Sequence, residues 1–142
     1  MRFTVLAVLG AALTVSAGPS EAALRITDDT GGRVGPYLRA LMALRDSGEN
    51  VIIDGRCISA CTMVLGVIPR ERICVTRRAR LGFHAAWRPT RDGPVVSQAG
   101  TKFLMDIYPE DVRSWIESRG GLTRRMIVLS GRELAAMYAP CR

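Results

Sequence analysis

Acyl-transfer chemistry needs a hydroxyl nucleophile, a base that can take its proton near neutral pH, and N–H donors for the oxyanion that develops. Ser59 lies in "DGRCISACTMVLG", residues 54–66, where an apolar, strand-like run gives way to a helix-like one. The amide of Ala60 and the positive end of the helix that follows would favour an anion at that turn. His84, the only imidazole in the chain, follows a second strand-like run, and the Gly31-Gly32 turn can present backbone N–H groups with no side chain in the way. Each has a plainer use as well. A serine at a helix start is most often an N-cap, a lone histidine beside Phe83 and Trp87 most often a packed core residue, and a glycine pair most often a turn.

Cysteines flank the serine. Cys57 and Cys61 lie two residues to either side, and Cys74 and Cys141 complete an even set. In an exported protein four cysteines favour two disulfides, and all three pairings stay open. A zinc site would need a ligand spacing that one histidine does not supply, and a redox pair would ordinarily use C-x-x-C where this chain has C-x-x-x-C. No metal or cofactor is expected. A thiol-redox protein using Cys57 and Cys61 at a helix start is nevertheless a distinct third class of function.

The expectation of export comes from the first residues. Arg2 precedes the apolar "FTVLAVLGAALTVSA", too short to span a bilayer comfortably and followed by small residues. Residues 1–23 read as a signal peptide cleaved after Ala22 or Ala23, with an uncleaved anchor as the alternative, and residues 24–142 as one domain. The protein is then periplasmic or secreted. The net charge is +7, and of the 20 cationic side chains only Lys102 is a lysine. The cluster Arg70, Arg72, Arg77, Arg78 and Arg80 lacks interleaved aromatics and reads as the solvated edge and turn of a sheet. Anionic envelope components are the expected partners of such a surface, and nucleic acid is not.

The elements that must position these groups follow from pattern. "ALRITDD" alternates as a strand, and "TGGR" turns. Val34, Leu38, Leu41, Met42 and Leu44 recur at helical spacing up to Ser47, with Gly48 as the stop. "NVIID", residues 50–54, is a buried-type strand, Ala60–Val67 a short helix ended by Pro69, and "RICVT" and "RLGFHAA" two further strands. Residues 88–100 form a loop long enough to cover something. Helices are expected over Thr101–Tyr108, from Pro109 through Trp115, and from Ser130, with Glu133 at capping-box spacing, to Pro140. Strand, helix, strand, helix, strand is the order of parallel pairing with crossover helices.

The order and spacing together carry a resemblance. "DDTGGRVGPYLRALMALRDSGENVIIDGRCISACTMVLG…RICVTRRARLGFHAA" resembles the Clp-type proteolytic subunit of the ClpP/crotonase superfamily, in an exported, cysteine-containing, shortened version. The interval from Gly31 to Ser59 is 28 residues and that from Ser59 to His84 is 25. "GGLTRRMIVLSGRELAAMYAP" is similar to the family's late segment, in which a short helix and an LS-x-x-E turn lead into the last helix. The resemblance implies an α/β fold of repeated β-β-α/β-α units with a mostly parallel sheet in a single domain. It implies Ser59 as nucleophile, His84 as general base and then acid, and the amides of Gly31 or Gly32 with that of Ala60 as oxyanion hole. The implied activity is that of a serine hydrolase on a peptide or ester, in a chain that could form homo-oligomers.

Departures from the pattern define the alternative. Where the family carries its triad acid, this chain has Met126. Asp106, Glu110 and Asp111 could reach the histidine only by a different route, and Glu133 matches a capping position. Exported signal-peptide peptidases, similar in fold, use a Ser-Lys dyad, for which Lys102 is the sole lysine. The competing reading is a non-catalytic periplasmic binding or structural protein on the same scaffold.

Overall fold

The computed structural model describes residues 23–142; the expected signal segment lies outside the described residues except for Ala23, which begins the first strand. The chain is a mixed α/β domain with a mostly parallel sheet. Strand β1 (Ala23–Asp29) leads through the Gly31-Gly32 turn into helix α1 (Val34–Ser47), whose C-cap Gly48 takes the left-handed conformation at φ 80°. Strand β2 (Asn50–Ile58) runs four residues further than the apolar pattern of "NVIID" suggests. Its continuation "GRCI" is polar and small at Gly55 and Arg56, yet pairing on both sides keeps it extended.

The sheet is built around β2. Strand β1 lies parallel along one side, Ala23 opposite Asn50 through Asp29 opposite Cys57. On the other side β3 (Ile73–Val75) pairs with Val51–Ile53 and β4 (Arg80–Phe83) pairs with Arg56–Ile58, both parallel. The two short strands therefore act as one strand interrupted by the Thr76–Ala79 turn. Two-residue strands β5 (Trp87–Arg88) and β6 (Val95–Val96) form a hairpin inside the segment expected to be loop. Strand β7 (Ile127–Ser130) closes the order β1-β2-β4-β7 and is antiparallel to β4. The resemblance implies a short helix ahead of the LS-x-x-E turn, but among the described residues no helix lies between Glu117 and Gly131, and the β-branched and apolar Ile127, Val128 and Leu129 are strand instead.

Helices cover the sheet. The expected helix after Ser59 is a 3-10 turn over Ser59–Met63 followed by a single α turn, α2 (Val64–Val67). Helices α3 (Gln98–Ile107) and α4 (Glu110–Glu117) start three residues earlier and one residue later than expected, and α5 (Gly131–Met137) ends the chain's last element. Ser130 makes no side-chain capping bond, and the Glu133 side chain pairs with Arg119. Val51, Ile53, Met63, Val64, Leu81, Phe83, Ile116 and Leu129 form the buried centre, with Phe83 edge-on to Tyr108 at 5.3 Å. Each such side chain contributes roughly 1.5–3 kcal/mol of burial.

Much of the arginine-rich surface is spent inside the fold. Arg72 donates to the carbonyls of Leu44, Arg45 and Glu49 and so closes the C-terminal end of α1. Arg70 forks onto Asp111 at 2.7 and 2.8 Å and lies 4.7 Å from the centre of the Tyr138 ring. The buried carboxylate of Asp54 accepts from Arg78, Thr76 and Arg25, which together hold it well below the usual carboxylate range.

Two disulfides are closed, Cys57–Cys61 and Cys74–Cys141, and they belong to an oxidising, extracytoplasmic compartment. The second joins residues 67 apart and ties the tail to β3, where Val75 also pairs with Pro140. In the chain-entropy view a loop of that length is worth about 4 kcal/mol.

Candidate active site

At the end of β2 the backbone reverses within one residue. Ile58 is still extended at φ −115°, and Ser59 has φ 59°, the only positive φ at a non-glycine position among the described residues. A left-handed L-residue costs about 1–2 kcal/mol and persists only where its surroundings fix it. A left-handed residue between a strand and a helix carries its side chain out past the sheet end, the shape of a nucleophile elbow. Ser59 is not the cap of the following turn: Ile58 occupies the cap position, and no side-chain capping bond is made. Its Oγ has no hydrogen-bond partner among the described residues.

Three features hold that elbow. Gly31, at φ 78°, backs directly onto it, so that a Cβ there would lie 2.5 Å from the Ile58 oxygen and 2.6 Å from the Ala60 nitrogen. The Cys57–Cys61 disulfide bridges the residues on either side, both fully buried, with Cα atoms 5.2 Å apart. From the third side the Thr62 hydroxyl lies 2.7 Å from the Ser59 carbonyl and 2.6 Å from the Tyr108 hydroxyl. A carbonyl only accepts, so Thr62 donates to Ser59 and Tyr108 donates to Thr62. Burial pushes the Tyr108 hydroxyl up to about 12, which keeps it a donor throughout the neutral range.

The glycine turn is organised by a residue that sequence reasoning passed over. Asp29 Oδ1 accepts from the Gly31 amide at 2.7 Å, an Asx turn, and its Oδ2 accepts from the Tyr37 hydroxyl. "D-T-G" carries that signal. Burial and the Asp29 carboxylate raise the Tyr37 hydroxyl far above its ordinary value. The Gly31 amide is occupied by Asp29, whereas a Cβ at Gly32 would meet nothing within 4 Å, so the space beside Gly32 is open. The Ala60 amide is among the first of its turn, which have no carbonyl one turn back.

His84 follows the C-terminal end of β4, the strand alongside the end of β2, where Ile58 pairs with Gly82. The two candidate residues thus sit on adjacent strand ends, and no hydrogen bond joins them. His84 Nδ1 lies 2.8 Å from the Ala85 carbonyl. Since that oxygen can only accept, Nδ1 carries the proton and Nε2 of the neutral ring is left as the base.

The histidine opens into a cavity of about 330 Å³ walled by Trp87, Pro94, Val95, Val96 and Met126, to which Arg124 adds a guanidinium. Among the described residues no carboxylate lines it. The β5–β6 hairpin supplies most of its wall, which the sequence pattern of a Pro- and Gly-rich loop did not disclose. Met126, placed by resemblance at the triad-acid position, does lie in the cavity of His84, where its Sδ would be 2.7 Å from a Cβ at Gly82. Of the candidate carboxylates, Asp111 pairs with Arg70, Glu133 with Arg119 and Asp106 with Lys102, while Glu110 opens α4 and is not among the residues that line this cavity. Lys102 is exposed in that surface ion pair and is no buried base for Ser59. Among the described residues no three His, Cys, Asp or Glu come together in a way that could hold a metal ion.

No family model matches this chain, and no curated protein matches it by sequence. Among solved structures, a ClpP1 point mutant from Listeria monocytogenes aligns with a TM-score of 0.46 and 16% identity, over 83% of this chain and 71% of that one.

Proposed function

We propose that the protein is an exported serine hydrolase of ClpP/crotonase-like type, acting on a peptide or ester. The observation that carries the reading is the left-handed Ser59 at the strand-to-helix turn, beside the strand end that bears His84. Ser59 Oγ attacks the acyl carbonyl and its proton passes to Nε2 of His84, whose tautomer the Ala85 carbonyl fixes. The amides of Ala60 and Gly32 receive the oxyanion. The protonated ring then gives its proton to the leaving group, and water repeats the sequence on the acyl-enzyme. The Ser-His contact forms with substrate in place, as catalytic hydrogen bonds often tighten only in the complex.

The apolar cavity beside His84 supports an apolar acyl or side-chain group as the portion of substrate held there. Trp87, Val96, Met126 and Val128 are exposed around that cavity and along β7, which favours a covering substrate or a second copy of the chain on this face. Arg77 and Arg132, which have no carboxylate partner among the described residues, suit anionic envelope components.

The test is labelling by a fluorophosphonate. We expect covalent modification at Ser59 and slow hydrolysis of activated esters, both lost in Ser59→Ala. A folded, oxidised chain that takes no label would overturn the proposal. One observation favours the second reading, a non-catalytic scaffold: His84 is oriented by a carbonyl, and its cavity holds no acid. A folded, oxidised wild type that hydrolyses activated esters no faster than the uncatalysed reaction would decide for that reading.

A further inference from the structure

We infer that the Cys57–Cys61 disulfide is a positioning element for Ser59, so that the serine is reactive in the oxidised chain and loses most of its reactivity when this one bond is opened. The inference rests on the reading of Ser59 as a nucleophile and adds what sets its geometry.

Five residues of extended chain would carry Cys61 about 13 Å from Cys57. The observed Cα separation is 5.2 Å, and in the reversal that the 3-10 turn completes, Ser59 is the single non-glycine left-handed residue among those described. Cys57 cannot shift to relieve it. It stands in β2 with Asp29 on one side and Leu81 on the other. Cys61 is equally fixed in the buried 3-10 turn. The bond therefore spans the strained residue between two immobile anchors, and strain of this kind lasts only while the surroundings over-determine it.

The remaining supports are weaker on this point. Gly31 permits the reversal by leaving room for it, and does not pull the chain into it. Thr62 holds the Ser59 carbonyl through one hydrogen bond. With the sulfurs apart, Ser59 can relax towards an ordinary negative φ, which swings its Oγ away from the strand end bearing His84. A displacement of about 1 Å at a reacting atom is enough to cost on the order of 100-fold in rate.

The burial of both sulfurs also separates this role from dithiol catalysis. Exchange chemistry needs an accessible, low-pKa thiol, and here both cysteines are fully buried among Ala60, Met63, Val64 and the rest of the core. Opening is a two-electron reduction by an external dithiol. The Cys57–Cys61 bond breaks, two thiols form with two protons, and the dithiol leaves as its own disulfide.

The second disulfide supplies the control. Cys74–Cys141 fastens the C-terminal tail to β3, which pairs with Val51–Ile53 and not with the Ser59 end of β2. Fluorophosphonate labelling of Ser59 is measured for the wild type, for Cys57→Ala/Cys61→Ala and for Cys74→Ala/Cys141→Ala, with folding followed by circular dichroism. We expect at least ten-fold slower labelling in the first variant and less than two-fold change in the second, although the second closes the longer loop and loses more stability. Should Cys57→Ala/Cys61→Ala fail to fold, the Cys74→Ala/Cys141→Ala variant, whose remaining bond is Cys57–Cys61, replaces it after reduction by a dithiol in sub-denaturing urea and transfer to native buffer with the dithiol still present. A folded chain lacking this bond that labels at the wild-type rate overturns the inference. If oxidised wild type takes no label at all, the hydrolase reading fails, and the Ser59 carbon chemical shifts judge the positioning alone: a left-handed signature that survives reduction overturns it, and one that is lost sustains it.

Discussion

The ends of β2 and β4 lie side by side, yet they are built to different standards. At the end of β2, Ser59 is held by a glycine backbone, a disulfide and a buried hydrogen-bond chain from Tyr108 through Thr62. After β4, His84 is half-buried, makes one hydrogen bond to its neighbour's carbonyl and faces an open apolar cavity. The serine is placed by long-range packing, whereas the histidine is placed by its own strand. In the worked serine triad, losing the acid costs about 10,000-fold in kcat while the nucleophile and oxyanion donors retain residual catalysis. On the reading proposed above, a rigid elbow beside a lightly held histidine fits a slow hydrolase better than a fast one.

The contrast breaks most sharply through Gly31→Ala set against His84→Ala. An added methyl at residue 31 must adopt φ 78° and meet two backbone atoms of the elbow at 2.5 and 2.6 Å, neither of which can rotate away. The left-handed penalty and the overpacking together amount to about 3 kcal/mol or more. Removing the half-buried imidazole forfeits one hydrogen bond and some packing, about 1 kcal/mol. Urea melts of the two variants check this, and equal losses would remove the distinction between the two strand ends.

A gain of function sharpens the same comparison. Met126 lies in the cavity of His84 and is 43% exposed, so that a shorter polar side chain there strands no core. Met126→Asp places a carboxylate beside a ring that now has only a carbonyl to orient it. Without a shell to preorganise the new acid, we expect a small part of the triad's full effect, about ten-fold in kcat/KM for an activated ester. No gain in a folded variant whose Ser59 still takes the label would argue that His84 is not the base.

What the sequence disclosed divides along the same line. β1 and α1 stand where alternation and helical spacing put them, because Leu41 and the glycine stop at Gly48 are local signals. The four cysteines announced disulfides, but their pairing depends on β3 meeting the tail, a contact 67 residues long that no local pattern encodes. The hairpin after His84 hid in a Pro- and Gly-rich stretch because strands of two residues are too short to show alternation. Strand β7 was obscured by the arginines before it, and its place is set by pairing with β4. The spacing of Gly31, Ser59 and His84 located the candidates. It could not show that Ser59 takes a positive φ, since that conformation follows from Gly31, Cys61 and Thr62 closing on one residue from three directions.

The smallest expected effect concerns the most distant of those three supports. Tyr108→Phe removes only the hydroxyl that donates to Thr62, in a site where the ring is 2% exposed and stays packed edge-on against Phe83. Thr62 keeps its own donor for the Ser59 carbonyl and loses one incoming bond, so its oxygen is left buried with unmet acceptor capacity. An unmet acceptor of this kind costs about 1 kcal/mol, less than an unmet donor or a charge would. The urea midpoint should fall accordingly, and Ser59 labelling should slow by no more than about two-fold, since one neutral hydrogen bond removed two steps away shifts little at the elbow itself. A drop in labelling as large as that expected from Cys57→Ala/Cys61→Ala would mean that the hydrogen-bond chain, and not the covalent bond, is what fixes the serine.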